Sequence, residues 1–223
     1  MIRLFCPARH TMSDFLDRFV RAPGLGNRYE WKSATKPVFR NAVVKFVPPD
    51  INEPYGDSEF DITAFCESGN VPGSLHENAW NFLEANADTI EANLRRKLFV
   101  HHMKGYRGFV DEIVPDLDDD ELEEWDAIRD AIAWETPIAI DSMYELIGVG
   151  LLEAGLDDCG CCYFDFNCGW DEEHGISILM HKTNVLAADG ISGFANCGSE
   201  LIPCVQAIQQ YDLDEGDFSL LET

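Results

Sequence analysis

The chain has 223 residues, 46% of them hydrophobic and 11% aromatic, too apolar for a disordered polypeptide and sufficient to build a substantial core. Its formal net charge of −25 is unevenly placed: residues 1–110 carry 14 Lys/Arg against 13 Asp/Glu, whereas residues 111–223 carry 2 against 28. A half with a balance of −26 repels phosphate backbones, so direct nucleic-acid binding is not expected; its field would draw cations or a basic partner protein, and the plainer reading is that the acids keep the chain soluble.

The opening Met1-Ile2-Arg3-Leu4-Phe5-Cys6-Pro7 contains no apolar segment of signal-peptide length, and no run approaches the roughly 20 apolar residues of a membrane span. A cytosolic protein with no membrane partner is expected. Its eight cysteines then read as reduced thiols, buried for packing or ligating a metal, before they read as disulfides.

Residues 1–37 read as an irregular, mildly basic N-terminal extension, with nine Lys/Arg and three Asp/Glu in the first 45 positions. Within it Thr11–Val20 predicts a short helix with Ser13 as N-cap, ended by Pro23-Gly24-Leu25-Gly26-Asn27. The domain proper is expected over 38–223. Val38–Val47 is β-branched and aromatic and stops at Pro48-Pro49, which predicts a strand. Glu59–Cys66 alternates and predicts its antiparallel partner.

Leu75, Ala79, Phe82, Leu83, Ala87, Ile90, Leu94 and Leu98 recur at steps of three and four and predict a helical region over Ser74–Met103. Ser74 and Glu77 have capping-box spacing, Asn86-Ala87-Asp88 marks a break, and Arg95-Arg96-Lys97 reads as a solvated helix face. Asp116, Asp118 and Asp120 imitate the start of a calcium loop. Glu121 stands where that loop needs glycine and Ala127 where it needs glutamate, so a helix from Asp118 through Leu122, Trp125, Ile128 and Ile132 explains the acids better.

From Pro137 the pattern turns to strands: Pro137–Leu152, Cys161–Cys168, Ile176–Met180 and the short Asn184–Ala188. The fold class expected is α+β, an antiparallel sheet of about five to six strands packed against helices in a single domain.

Period two puts Cys162, Phe164, Phe166 and Cys168 on a core-facing row and Cys161, Tyr163, Asp165 and Asn167 opposite. Cys159 and Cys162 have C-x-x-C spacing, with Cys168, His174 and His181 downstream, but zinc normally needs a second such pair and there is none. A thioredoxin-like motif would open a helix, and this one opens a strand.

Trp170-Asp171-Glu172-Glu173-His174-Gly175 is the densest polar constellation, placed in the connection of a β-hairpin. Trp170, Asp171, Glu172, Glu173 and His174 are the candidate binding residues, and Glu173, His174 and His181 the candidate metal ligands. The alternative is structural: Gly175 supplies a positive φ, Trp170 packs on the hairpin, and the acids and His174 bond turn amides. No nucleophile elbow, phosphate loop or H-E-x-x-H motif is present, so no catalytic residue is assigned and no cofactor is expected.

Trp170, Asp171, Glu173, His174, Gly175 and, downstream, Gly190 give the hairpin a pattern that resembles the W-D-x-E-H-G signature of an uncharacterised bacterial domain family. The order of segments over residues 38–195 is similar too: two strands, a helix with an embedded Trp (Trp80), an acidic helix, then the hairpin. The family usually continues H-G-x-G, and Ser177 departs from it. The resemblance implies a small intracellular protein, in some members associated with toxin immunity, with no enzymatic activity attached. Three functions stay open: a non-enzymatic interaction module for a basic partner, a metal-binding or metal-dependent hydrolytic domain at residues 170–175, and an acidic nucleic-acid mimic.

Overall fold

A computed structural model describes residues 12–23, 27–39, 60–66, 71–112, 140–141, 143–195, 197–199, 201–203 and 205–206, with the backbone alone at 12–13, 105–112 and 171–173. The elements are α1 (Met12–Leu16), β1 (Val20–Arg21), β2 (Arg28–Ser33), β3 (Phe60–Phe65), α2 (Ser74–Ala85), α3 (Ala87–Glu112), β4 (Tyr144–Leu156), β5 (Cys159–Cys168), β6 (Asp171–His181) and β7 (Asn184–Asp189). The architecture is α+β. Among the described residues seven strands, where five to six were expected, form one sheet in chain order from β1 to β7.

Every pairing is antiparallel except β3 with β4. Parallel neighbours require a long crossover, and α2 and α3 lie in that connection. From β4 onward the sheet is a meander. Two residues separate each pair of strands: Asp157-Asp158, Gly169-Trp170 and Lys182-Thr183. Asp157 and Asp158 have φ of 53° and 58°, matching the twist a two-residue hairpin favours.

The helical stripe is oriented as its spacing predicts. Ala79, Leu83, Ile90, Leu94 and Leu98 are buried in the main core, together with Cys162, Phe164, Phe166 and Cys168 from β5. The opposite face of the sheet is covered as well: Cys161, Tyr163, Leu152 and Leu179 pack with Phe194, Leu201 and Val205. The central strand β5 therefore meets apolar side chains on both sides, which is why small thiols and aromatic rings alternate along it. Among the described residues no helix is long and apolar enough to cross a membrane.

Several expectations change. Residues 20–33, read as irregular, supply β1 and β2, and Phe15, Phe19, Trp31 and Trp80 form a chain of edge-to-face rings that ties this segment to α2. Ser13 lies inside α1 and does not cap it. The partner expected for β3, Val38–Val47, is displaced because β2 and β4 already occupy both edges of β3. Val38 and Phe39 are buried outside any strand, and residues 40–47 lie outside the described residues.

The helix break falls at Asn86, as read. The cap of α2 is Gly73, one residue before Ser74. His76 Nδ1 accepts the Gly73 N–H at 3.1 Å and its Nε2–H donates to Phe65 O at 2.9 Å, so a buried imidazole takes the role expected of Glu77 and pins α2 to the end of β3. Within Pro137–Leu152 the described strand starts at Tyr144 and runs on to Leu156, while residues 137–139 and 142 lie outside the described residues. The acidic helix over 118–132 and the acidic tail lie outside the described residues.

Candidate functional site

The polar segment Trp170–Gly175 was read as a hairpin connection, but the connection is shorter. Gly169-Trp170 makes the turn, and Asp171 already pairs with Cys168. Phe166 next pairs with Ile176, so Glu172, Glu173, His174 and Gly175 together stand opposite the single residue Asn167. Strand β6 accommodates the surplus as a bulge, a device that breaks the ladder locally and redirects side chains.

The bulge is held from below and from the side. Gly175 has φ of 56°, the positive value assigned to it from sequence, though in a bulge and not a turn. A β-carbon there would sit 2.5 Å from the Phe166 carbonyl oxygen and 2.5 Å from Ile191 Cδ1. The Ile191 N–H donates to His174 O at 3.1 Å, and the Ser192 N–H donates to Asp165 Oδ1 at 3.2 Å. The turn after β7 thereby clamps the bulge from the second face of the sheet.

Of the expected site residues, Trp170, His174 and His181 have described side chains, and these three face different surroundings. Trp170 turns back toward α3, where its indole Nε1–H donates to His101 Nδ1 at 3.0 Å. The buried His102 ring lies edge-on to it at 4.9 Å, and Tyr144 is 6.3 Å away. His174 is exposed, and the side chains of Asp171, Glu172 and Glu173 are outside the described set. His181, at the other end of β6, is fully buried, its Nε2 within 3.1 Å of Leu156 O and 3.2 Å of Cys159 O. Ile176 to His181 alone spans about 16 Å of strand, so His181 is not brought together with Glu173 and His174.

The thiols are similarly dispersed. Cys159 and Cys162 belong to the main core and Cys161 to the second. Burial pushes the Cys161 thiol up to about 12 and raises Cys159 and Cys162 as well, which leaves them protonated and poor as ligands or nucleophiles. Among the described residues no three His, Cys, Asp or Glu side chains converge as a metal site.

A network that the sequence did not single out lies beside Trp170. Arg95, expected on a solvated face, turns inward: its Nε–H reaches both oxygens of Asp141 at 3.0 and 3.1 Å and its terminal N–H bonds Glu91. The Tyr144 hydroxyl also donates to Asp141, and Glu91 accepts the Phe39 N–H at 2.7 Å. Burial, then Asp141, raises the Tyr144 hydroxyl far above its ordinary range. These groups satisfy one another and brace the start of β4 against α3, leaving neither a free acid nor a free base. Glu91 and Arg95 at i,i+4 were the visible half of this signal; Asp141, 46 residues on, was not.

Asp165 is the one buried carboxylate of the clamp. Burial raises it above the usual carboxylate range, while Ser177 across the strand pair, the Ser192 N–H and Arg28 pull in the other direction. A raised carboxyl contributes stability that is full below its unfolded value and lost as pH rises through the folded one. Asp165→Asn keeps an acceptor for the Ser192 N–H without the buried charge. It is expected to unfold at a higher temperature than the native chain at neutral pH and to lose the decline of stability with rising pH; equal pH profiles for the two proteins would refute this.

A family model described as a domain of unknown function (DUF6985) matches residues 31–195, from within β2 to the turn that clamps the bulge. No curated protein and no solved structure matches the chain.

Proposed function

The chain belongs to the DUF6985 family, a domain of unknown function, and from that premise we propose that it is a non-enzymatic, immunity-like interaction module of the bacterial cytosol that binds a basic protein. The observation that carries the reading is the charge: 28 acidic against 2 basic residues between 111 and 223. A field of that strength steers a basic partner into encounter and resists non-cognate acidic ones. Two features of the described residues agree with it. Arg95, Asp141, Glu91 and Tyr144 use their polar groups on one another, and the buried thiols are held protonated. The metal-dependent alternative gains nothing from an arrangement that parts His181 from His174.

Titration of the native chain against the basic partner purified from its host tests the reading. Affinity is expected to fall at least about tenfold between low salt and about 0.5 M salt, where the screening length is only a few ångströms. A variant with Asp116, Asp118, Asp119 and Asp120 changed to Asn and Glu121 and Glu123 to Gln is expected to lose affinity comparably. Full affinity in that variant would refute the proposal.

A further inference from the structure

We propose that His101 and Trp170 form a proton-operated latch, in which the neutral imidazole holds the hairpin against α3 and a proton on its Nδ1 releases it. The inference concerns the hairpin alone and stands whether or not the partner reading above does. Its geometric basis is the 3.0 Å bond from the indole Nε1–H to His101 Nδ1. An indole nitrogen can only donate, so the bond exists only while Nδ1 carries a lone pair and the ring proton sits on Nε2. Protonation turns both ring nitrogens into donors. Two N–H groups then face each other, and the bond is lost outright, not merely weakened.

The surroundings make the latch consequential. Trp170 is packed edge-on to His102 at 4.9 Å and lies 6.3 Å from Tyr144, so its release uncovers a buried imidazole. His102 is 1% exposed, and burial followed by the neighbouring His101 pushes it down to about 4. In the closed state it stays neutral; once Trp170 leaves, hydration lifts the burial effect and a second proton holds the latch open. Among the described side chains, the charged and titratable groups near the pair include Lys97 and Lys104, about one turn away on either side along α3, and Tyr144 on β4 with Asp141 behind its hydroxyl. On the hairpin, Asp171, Glu172, Glu173 and His174 follow Trp170 in sequence; of these the side chain of His174 is described, and it is exposed. Arg95 and Glu91 are engaged with Asp141, one layer further off.

Trp170 ends the turn that leads, through the paired Asp171, into the bulge, so the latch bears on how the backbone of Glu172–Gly175 is held. With Trp170 docked, the indole bond to α3 adds to the restraints on the bulge from the flanking pairs Cys168–Asp171 and Phe166–Ile176 and from the Ile191 N–H on His174 O. With it released, the bond to α3 is lost.

The test is the Trp170 indole N–H resonance, assigned by its loss in Trp170→Phe and followed from about pH 7.5 to about pH 5, across the range where imidazoles titrate. In the native chain the resonance is expected to move with a midpoint in that window and a slope steeper than one proton. In His101→Asn the side-chain oxygen reaches the indole from the position of Nδ1 and does not titrate, so the resonance is expected to stay at its neutral-pH position. A native resonance that does not move overturns the proposal. So does a His101→Asn protein that titrates with the native one, since that result would report acid unfolding of the whole domain.

Discussion

Gly175→Ala is expected to lower the stability of the domain by about 2–5 kcal/mol. The left-handed backbone costs a non-glycine residue about 1–3 kcal/mol. The φ of 56° at Gly175 lies squarely in that region. The new methyl group would also meet two neighbours at 2.5 Å. Ile191 Cδ1 is the end of a flexible side chain and can yield. The Phe166 carbonyl oxygen belongs to the backbone of an interior, almost wholly buried strand and cannot move without disturbing the β5–β6 ladder, so overpacking adds about 1–2 kcal/mol. For a domain of this size the sum corresponds to a fall in Tm of roughly 10 °C. Gly190 is the internal control: a β-carbon there meets no atom within 4 Å, and Gly190→Ala is expected to change stability by less than about 0.5 kcal/mol. Urea denaturation of the two variants separates them, and equal losses would mean that the bulge conformation is not what Gly175 serves.

The contrast shows which features could be read in advance. Alternation along Cys162, Phe164, Phe166 and Cys168 identified the core row because period two is a local property, and the positive φ at Gly175 was legible because only glycine adopts it freely. The extent of the bulge was not legible. Its surplus of residues is defined by where Phe166 and Cys168 find partners on β6, and register is a property of two strands together. The second face of β5 was not legible for a similar reason: alternation set Cys161, Tyr163, Asp165 and Asn167 opposite the core row without showing what covers them, and the cover supplied by Phe194, Leu201 and Val205 comes from a segment with no evident claim on that strand.

Long-range pairing was the other blind spot. Arg28–Ser33 falls within the extension read as irregular and mildly basic, and becomes a strand because β3 offers it a free edge. The parallel pairing of β3 with β4 joins residues that α2 and α3 hold far apart in sequence, so nothing within either strand announces it. Helix faces were more transparent, since the stripe of α2 and α3 needs no partner to be recognised. Arg95 escaped because charge on a helix is ordinarily solvated, and the carboxylate that draws it inward belongs to the approach to β4.

That carboxylate sets the second large effect. Asp141→Ala removes the acceptor shared by Arg95 and Tyr144, and the two lose it under different conditions. Tyr144 is 1% exposed, so its hydroxyl has no solvent to turn to and bears the full desolvation cost, about 1–3 kcal/mol. The Arg95 side chain is 23% exposed and keeps Glu91, so its share is partly screened, about 1 kcal/mol. A total near 3 kcal/mol is expected. Asp141→Asn, which retains one oxygen for the tyrosine, should cost about half as much. A cycle with Tyr144→Phe isolates the hydroxyl: in the Asp141→Ala background that change is expected to be neutral or stabilising, giving a coupling of about 1–2 kcal/mol. Because Tyr144 also lies beside Trp170, the Asp141→Ala protein should show an altered Trp170 environment even where it remains folded, while Arg96→Ala, on the exposed side of the same helix, should not. A coupling near zero would reduce the network to adjacent surface pairs and remove its role as the floor beneath the hairpin.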